Sequence, residues 1–309
     1  MHSKKIRIAT RKSPLALWQA YSIREQLLLH WPDLEIELLP MTTTGDKFLK
    51  DKLLTIGGKG LFVKELEEAL LDKRADLAVH SMKDVPVAFP EGLSLAAICT
   101  RHNPFDAFVS PLYENVNSLP LGSIVGTSSL RRQSQLLALR PDLVVQGLRG
   151  NIHTRLEKMD KGEYQAIILA AAGLERMGLQ SRIRQQFAPD EMLPACGQGA
   201  LGIECRTDDG EIQALLLPLH DSLTASCVYA ERRVNALLGG NCHTPLAVYC
   251  RPLDESNFVL SAKIASADGQ QVISNHQKGA EHTVMQLAEH AFQALLADGA
   301  EQLLNTACG

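Results

Sequence analysis

No run of about 18 consecutive apolar residues interrupts the sequence, so it offers no segment of the length a membrane-spanning helix needs. The N-terminal stretch from Met1 to Arg7 is polar and lacks the apolar core of a signal peptide, which reads as an unexported, cytoplasmic protein. Aromatics make up only 5%, the formal net charge is -4, and no nucleic-acid-binding motif occurs. A general polyanion binder is thereby excluded, and attraction for an acidic ligand has to come from locally clustered basic residues. There is no Cys-x-x-Cys pair either. The cysteines, Cys99, Cys196, Cys205, Cys227, Cys242, Cys250 and Cys308, are odd in number and scattered, which argues against a zinc site or a redox dithiol and for free thiols in a reducing compartment. No metal is expected. Internal repeats and low-complexity tracts are also missing, which removes solenoids and linkers from consideration.

What is present is core-forming material: 45% of 309 residues are hydrophobic, enough for two or three domains at about 150 residues each. Ile6 and Ile8 mark a strand ending in Thr10-Arg11-Lys12-Ser13. Ser13 then caps a helix with Pro14 at its first position and Leu17, Ala20, Ile23 and Leu27 on one face. Leu34, Ile36 and Leu38 alternate as the next strand. Thr42 to Gly60, ending in Gly57-Gly58-Lys59-Gly60, breaks the rhythm and reads as a mobile loop or lid. Phe62, Leu66, Ala69 and Leu70 form a helical stripe, and Asp76 to Val79 a buried strand running into His80-Ser81-Met82-Lys83-Asp84-Val85-Pro86. Strands at 123–125, 143–146 and 166–170, separated by helices, predict a second α/β unit. After the Pro/Gly-dense stretch 189–199 the character changes. A helix bearing Leu223, Cys227, Ala230, Val234 and Leu237 ends at Gly239-Gly240; strands at 246–250, 258–265 and 271–274 and a final helix predict a small α+β domain with an antiparallel sheet.

Ligands of open α/β sheets collect beyond the carboxyl ends of strands, and here those turns are basic and hydroxylated. Arg11, Lys12 and Ser13 follow one strand, Lys83 and Asp84 another; Thr127, Ser128 and Ser129 lead into Arg131 and Arg132; Arg149 and Arg155 follow the next, and Arg176 the last. The Thr127-Ser128-Ser129 turn joins free helix-start N–H groups, hydroxyls and an arginine pair around one carboxylate-sized space, although an ordinary helix cap with solvent-exposed arginines has the same local sequence. Taken together the basic turns predict a polyanionic small-molecule ligand. Asp84, directly after a buried strand, is placed for a partly desolvated acid-base carboxylate, though most such aspartates only make turns. Cys242 sits in a flexible polar loop that leaves its thiol accessible.

Ile6-Arg7-Ile8-Ala9-Thr10-Arg11, Gly57-Gly58-Lys59-Gly60-Leu61-Phe62-Val63-Lys64-Glu65, His80 to Pro86, Gly126 to Arg132, Leu148-Arg149-Gly150-Asn151, Gly197-Gln198-Gly199 and Gly239-Gly240-Asn241-Cys242 occur in one order. In this the chain resembles the porphobilinogen deaminase (hydroxymethylbilane synthase) family over nearly its whole length. The resemblance implies a transferase of haem and tetrapyrrole biosynthesis. It also implies a fold of two periplasmic-binding-protein-like (type II) α/β domains, at 1–99 with 200–217 and at 100–199, plus an α+β C-terminal domain at 218–309 with a three-stranded antiparallel sheet. It implies a monomer carrying dipyrromethane in thioether linkage on Cys242, with Ser13, Lys83, Thr127, Ser128, Ser129, Arg131, Arg132, Arg149 and Gly150 around that cofactor. Arg11, Ser13, Arg149, Arg155, Arg176 and Gln198 are implied to bind porphobilinogen, Asp84 to be catalytic, and Gly57, Gly58, Lys59 and Phe62 to belong to the lid. Thr44 and Thr55 stand where the family can carry basic residues, and Cys196 falls in a stretch usually free of thiols. The competing expectation is a non-catalytic two-lobed small-anion-binding protein; nucleic-acid and membrane partners are not expected.

Overall fold

A computed structural model describes residues 5–47, 60, 62–239, 244–254 and 256–307, so the expectations for Gly57, Gly58, Lys59 and Cys242 lie outside the described residues. The chain packs as two compact units, residues 1–102 with 200–225 and residues 103–199 with 226–309.

In the first unit, β1 (Lys5–Arg11) buries Ile6 and Ile8 and pairs in parallel with β2 (Glu35–Met41). Between them α1 (Pro14–His30) starts where Ser13 Oγ accepts the Ala16 N–H at 3.3 Å, and Pro14 supplies the preset φ of a first helical residue. The expected stripe is buried at Ala20, Ile23 and Leu27. Gln19 is buried too, because its Nε2 donates to Ser81 Oγ at 2.8 Å. After the single turn α2 (Thr44–Lys47) comes α3 (Lys64–Leu71), whose Leu66, Ala69 and Leu70 face the sheet. Phe62, expected on that stripe, precedes the helix. β3 (Leu77–Ser81) is followed by a 3-10 turn, Met82–Asp84, and then by β4 (Leu93–Ile98).

The second unit opens with β5 (Asp106–Val109), then β6 (Ile124–Gly126), α4 (Leu130–Leu139), β7 (Val144–Gln146), α5 (Ile152–Asp160), β8 (Ala166–Ala170), α6 (Ala171–Arg176) and β9 (Ile183–Gln186). Its sheet has the order β7-β6-β8-β5-β9, with β7, β6 and β8 parallel and β5 antiparallel to both neighbours. The chain then returns to the first unit as β10 (Leu201–Arg206) and α7 (Gly210–Leu216). That sheet repeats the same plan, β2-β1-β3-β10-β4, with β10 the antiparallel fourth strand. Two five-stranded sheets of equivalent strand order, each with one antiparallel fourth strand, meet the expectation of two α/β units.

α8 (Ser222–Leu237) leads to β11 (Leu246–Pro252), β12 (Asn257–Ala265) and β13 (Val272–Ala280), a three-stranded antiparallel sheet covered by α9 (Val284–Ala297) and followed by α10 (Ala300–Ala307). It owns a separate core built on Val248, Leu260, Ile264, Ala288 and Leu295. This sheet belongs to the second compact unit because its hairpin tip seats on α4: Gln133 Nε2 donates to Ala267 O at 3.1 Å, and a Cβ at Gly269 (φ +72) would lie 2.4 Å from Ala138 N. Glu231, fully buried on α8, ties the same unit together by accepting the N–H groups of Gly197 at 2.6 Å and Cys250 at 2.8 Å.

Candidate functional site

In the first unit the candidate residues lie at the carboxyl ends of β1 and β3, as the parallel strands direct. Ser13 is half-buried at the start of α1. Arg11 forms an ion pair with Asp46, and its guanidinium carbon stands 4.3 Å over the Phe62 ring. Gly45 makes that approach feasible, since a Cβ there would come within 2.3 Å of the ring. Burial alone would raise the Asp46 carboxyl, but Arg11, helped by Thr43, holds it below the usual carboxylate range. Arg11 is therefore a partnered cation, which the basic-turn reading did not foresee. Thr44, whose N–H donates to Glu65 Oε1 at 2.7 Å, anchors the same segment.

Asp84 ends the 3-10 turn after β3, beside half-buried Lys83. The expectation of a partly desolvated carboxylate is corrected here: the Asp84 side chain is exposed, and among the described residues it has no hydrogen-bond or ion-pair partner. What is rigid is its support. Met82 is buried at 2%, the Met82 N–H donates to Ala200 O at 3.0 Å, and the Val85 N–H returns to Met82 O at 3.3 Å. A free acceptor on a fixed turn suits a carboxylate that a ligand must desolvate on binding.

In the second unit Thr127, Ser128 and Ser129 link β6 to α4. Ser129 Oγ accepts the Arg132 N–H at 3.4 Å and Thr127 Oγ1 the Ser129 N–H at 3.1 Å, so Thr127, buried at 4%, chiefly holds the turn. Ser128 is exposed, its hydroxyl bonded to Leu148 O at 3.0 Å, which joins this turn to the one carrying Arg149 and Gly150. Arg131 and Arg132 are not solvent-exposed cations. Both are buried on Asp106 at the head of β5, Arg131 Nη1 at 2.7 Å from Oδ2 and Arg132 Nε at 2.9 Å from Oδ1, with further bonds to Leu193 O at 2.8 Å and Ile168 O at 3.0 Å. Burial alone would raise the Asp106 carboxyl; the two guanidiniums reverse that and hold it far below the ordinary range. Two cations on one anion leave a net positive charge at the N-terminal end of α4, where the helix dipole adds to it.

Gln198, buried at 1%, is likewise engaged: its Nε2 donates to Pro104 O at 2.7 Å and Asp106 Oδ1 at 3.1 Å. Arg155 Nε donates to Gly150 O at 2.7 Å, and Gly150 holds φ +120, a conformation that L side chains rarely adopt. Arg176 Nη2 donates to Gly199 O at 2.7 Å. Arg149 stands apart, half-buried and without a hydrogen-bond or ion-pair partner among the described residues. The donors of these loops, Arg149 and the backbone N–H groups of the turn leading into α4, together with the net positive Arg131–Asp106–Arg132 cluster, suit a ligand bearing several carboxylates. That is the chemistry of a dipyrromethane with acetate and propionate side chains.

The sequence profile described as porphobilinogen deaminase, dipyromethane cofactor binding domain, matches residues 6–214, and that of the porphobilinogen deaminase C-terminal domain matches 225–296. The chain belongs to the porphobilinogen deaminase family. Curated porphobilinogen deaminases of Legionella pneumophila are 62% identical (strain Lens) and 61% identical (strain Philadelphia 1) over 306 residues, covering 99% of this chain and 99% of each relative. Among solved structures, the periplasmic aliphatic sulphonate binding protein of Escherichia coli aligns at 13% identity with a TM-score of 0.40, over 75% of this chain and 70% of that one. Members of the porphobilinogen deaminase family are transferases, and the matched cofactor domain contains every candidate residue except Cys242.

Sequence reasoning missed Asp106, Asp46 and the buried pair His80–Glu204. Asp106 left one signal: a carboxylate heading the apolar run Ala107-Phe108-Val109, which a strand tolerates only with cations to receive it.

Proposed function

We propose that this chain condenses four porphobilinogen molecules head to tail onto a dipyrromethane primer held as a thioether on Cys242, releasing one ammonia per addition, and then frees the linear tetrapyrrole hydroxymethylbilane by hydrolysis. The observation that carries the proposal is the match of both family domains, in order, across residues 6–214 and 225–296. The C-terminal match also disfavours a non-catalytic anion binder, which needs no such domain. When bound, the dipyrromethane supplies a tethered pyrrole carbon as the nucleophile that is extended.

The chain's own residues do the rest. Arg149 supplies an uncommitted guanidinium to a substrate carboxylate, while Arg11, Arg155 and Arg176, each engaged, can turn remaining donors to others. Ser13, Lys83, Ser128, Ser129 and the Arg131–Asp106–Arg132 cluster receive the primer's carboxylates, and buried Thr127, Gln198 and Gly150 keep these donors in place. Asp84, once covered by substrate, accepts a hydrogen bond from the pyrrole N–H and pairs with the protonated aminomethyl group; when that group departs as ammonia, the same carboxylate offsets the positive charge left on the pyrrole. Phe62 and the glycine segment before it serve as the lid. The domain boundaries 1–99 with 200–217, 100–199 and 218–309 belong to the same proposal. So do a monomeric state, a cytoplasmic location and the lack of a nucleic-acid partner, supported by five free cysteines among the described residues and a net charge of -4. None of the described helices is long and apolar enough to cross a membrane.

Intact-protein mass spectrometry with a turnover assay tests the reading. The purified chain is expected to carry a dipyrromethane-sized adduct that Cys242→Ser abolishes together with bilane formation. An unmodified thiol in active enzyme, or full output from Cys242→Ser, refutes it.

A further inference from the structure

β3 carries the Lys83–Asp84 turn, yet its two sides are held unequally. Against β1 it registers only at Leu77 and Ala78, whereas β10 accompanies it from Leu77 to Ser81. Within the sheet, the last residues before the turn thus pair with β10 and not with β1, while Gln19 of α1 adds one side-chain bond to Ser81. On that side His80 faces Gly202 and Ala78 faces Glu204, which sets His80, Glu204 and, past the strand end, Met82 on one face of the sheet. His80 Nε2 and Glu204 Oε2 lie 2.8 Å apart with both side chains nearly inaccessible, at 4% and 1%. Gly202 leaves the space between them and Met82, for a Cβ there would stand 2.3 Å from Met82 Sδ.

We propose that the His80–Glu204 hydrogen bond is a positioning device for the catalytic turn: it locks β3 to β10 just before Met82, so that Lys83 and Asp84 project from a fixed base. This rests on the porphobilinogen deaminase reading above. A second observation favours a role beyond packing. Glu204 Oε1 is buried and has no hydrogen-bond partner among the described residues, a cost a purely structural strand has no reason to carry. Glu67 of α3 feels that carboxylate: burial first, then the Glu204 charge, opposed by His80 and supported by neighbouring Glu68, push its own carboxyl to about 7. His80 and Glu204 touch no ligand in this scheme; they act through the turn.

The test uses the holoenzyme and porphobilinogen. His80→Gln keeps an N–H donor near the Nε2 position, while His80→Asn falls short of Glu204. Because His80→Asn leaves a buried carboxylate unpaired, it is accompanied by His80→Asn/Glu204→Gln, which buries no unpaired charge. A turn displaced by a fraction of an ångström is expected to lower kcat about tenfold in the double variant with KM within about twofold, while His80→Gln stays within about threefold of the parent kcat. Parent-like kcat in the double variant, a loss confined to KM, or His80→Gln as poor as the double variant would overturn the proposal. Failure of the unsubstituted holoenzyme to consume porphobilinogen would sink the functional reading itself, before any variant is compared.

Discussion

Replacing Asp106 by asparagine keeps the shape of the side chain and removes one charge from the interior of the second unit. Asp106 is fully buried, and Arg131 and Arg132, at 5% and 7% exposure, direct four donor contacts of 2.7 to 3.1 Å at it together with Gln198. Both guanidiniums then remain buried against a neutral amide. Breaking a buried pair in this way costs about 3–5 kcal/mol. For a unit of this size each kcal/mol moves the melting temperature by about 2–4 °C, so thermal unfolding followed by circular dichroism is expected to fall by about 6–20 °C. The pH dependence has a definite sign. A carboxyl held low in the folded state stabilises fully above its unfolded value of about 3.9, and that contribution fades as pH falls through the depressed folded value. The gap between parent and Asp106→Asn should therefore be constant from about pH 8 to 5 and narrow only below about pH 4. A melting shift under about 2 °C, or a gap that closes near neutrality, would show that the arginines do not depend on this charge.

Asp84→Ala is expected to retain its covalent adduct by mass while turnover drops by about 10²–10⁴, and near-parent turnover removes Asp84 from the chemistry. Arg149→Leu should lower kcat/KM about tenfold or more, as expected for losing a charge-assisted bond to substrate; an unchanged value in steady-state kinetics would mean that the guanidinium serves no ligand. Gly202→Ala forces a methyl into Met82 and Leu95, at 2.3 and 2.9 Å, and should cost about 1–3 kcal/mol in denaturant unfolding, with parental stability the contrary result.

Elements with strong local signals were legible in the sequence. Ser13-Pro14 and the stripe Ala20, Ile23 and Leu27 declared α1, and the alternation of Leu246, Val248 and Cys250 declared β11. Others were hidden by the very residues that matter. Leu201–Arg206 reads poorly as a strand because Glu204 falls among its inward residues, and β5 because it is only four residues long and opens on the charged Asp106. Ile183–Gln186, a polar edge strand, and Ala171–Arg176, a six-residue helix running straight on from β8, have no period long enough to detect. The basic turns of the site were found because they are local to strand ends. Which arginine would be spent on an internal partner was not, since Asp106 lies 25 residues from Arg131 and Asp46 lies 35 from Arg11. Pattern reports which residues share a face, and only the folded chain reports which charges meet.

The strand order also fixes when the Lys83–Asp84 turn can be finished. Among the described residues β4 has β10 as its only sheet neighbour, and the final residues of β3 pair with β10 alone within the sheet, yet β10 is synthesised after all five strands of the β5–β9 sheet. On a ribosome advancing at about 5–20 residues per second, the nascent first unit waits roughly 5–20 s with an incomplete sheet while the later one closes. Chain segments that begin the protein are thus among the last to be sealed, and a truncation between Asp84 and residue 201 leaves the end of β3 without its β10 partner, with the Gln19–Ser81 bond as its remaining side-chain tie.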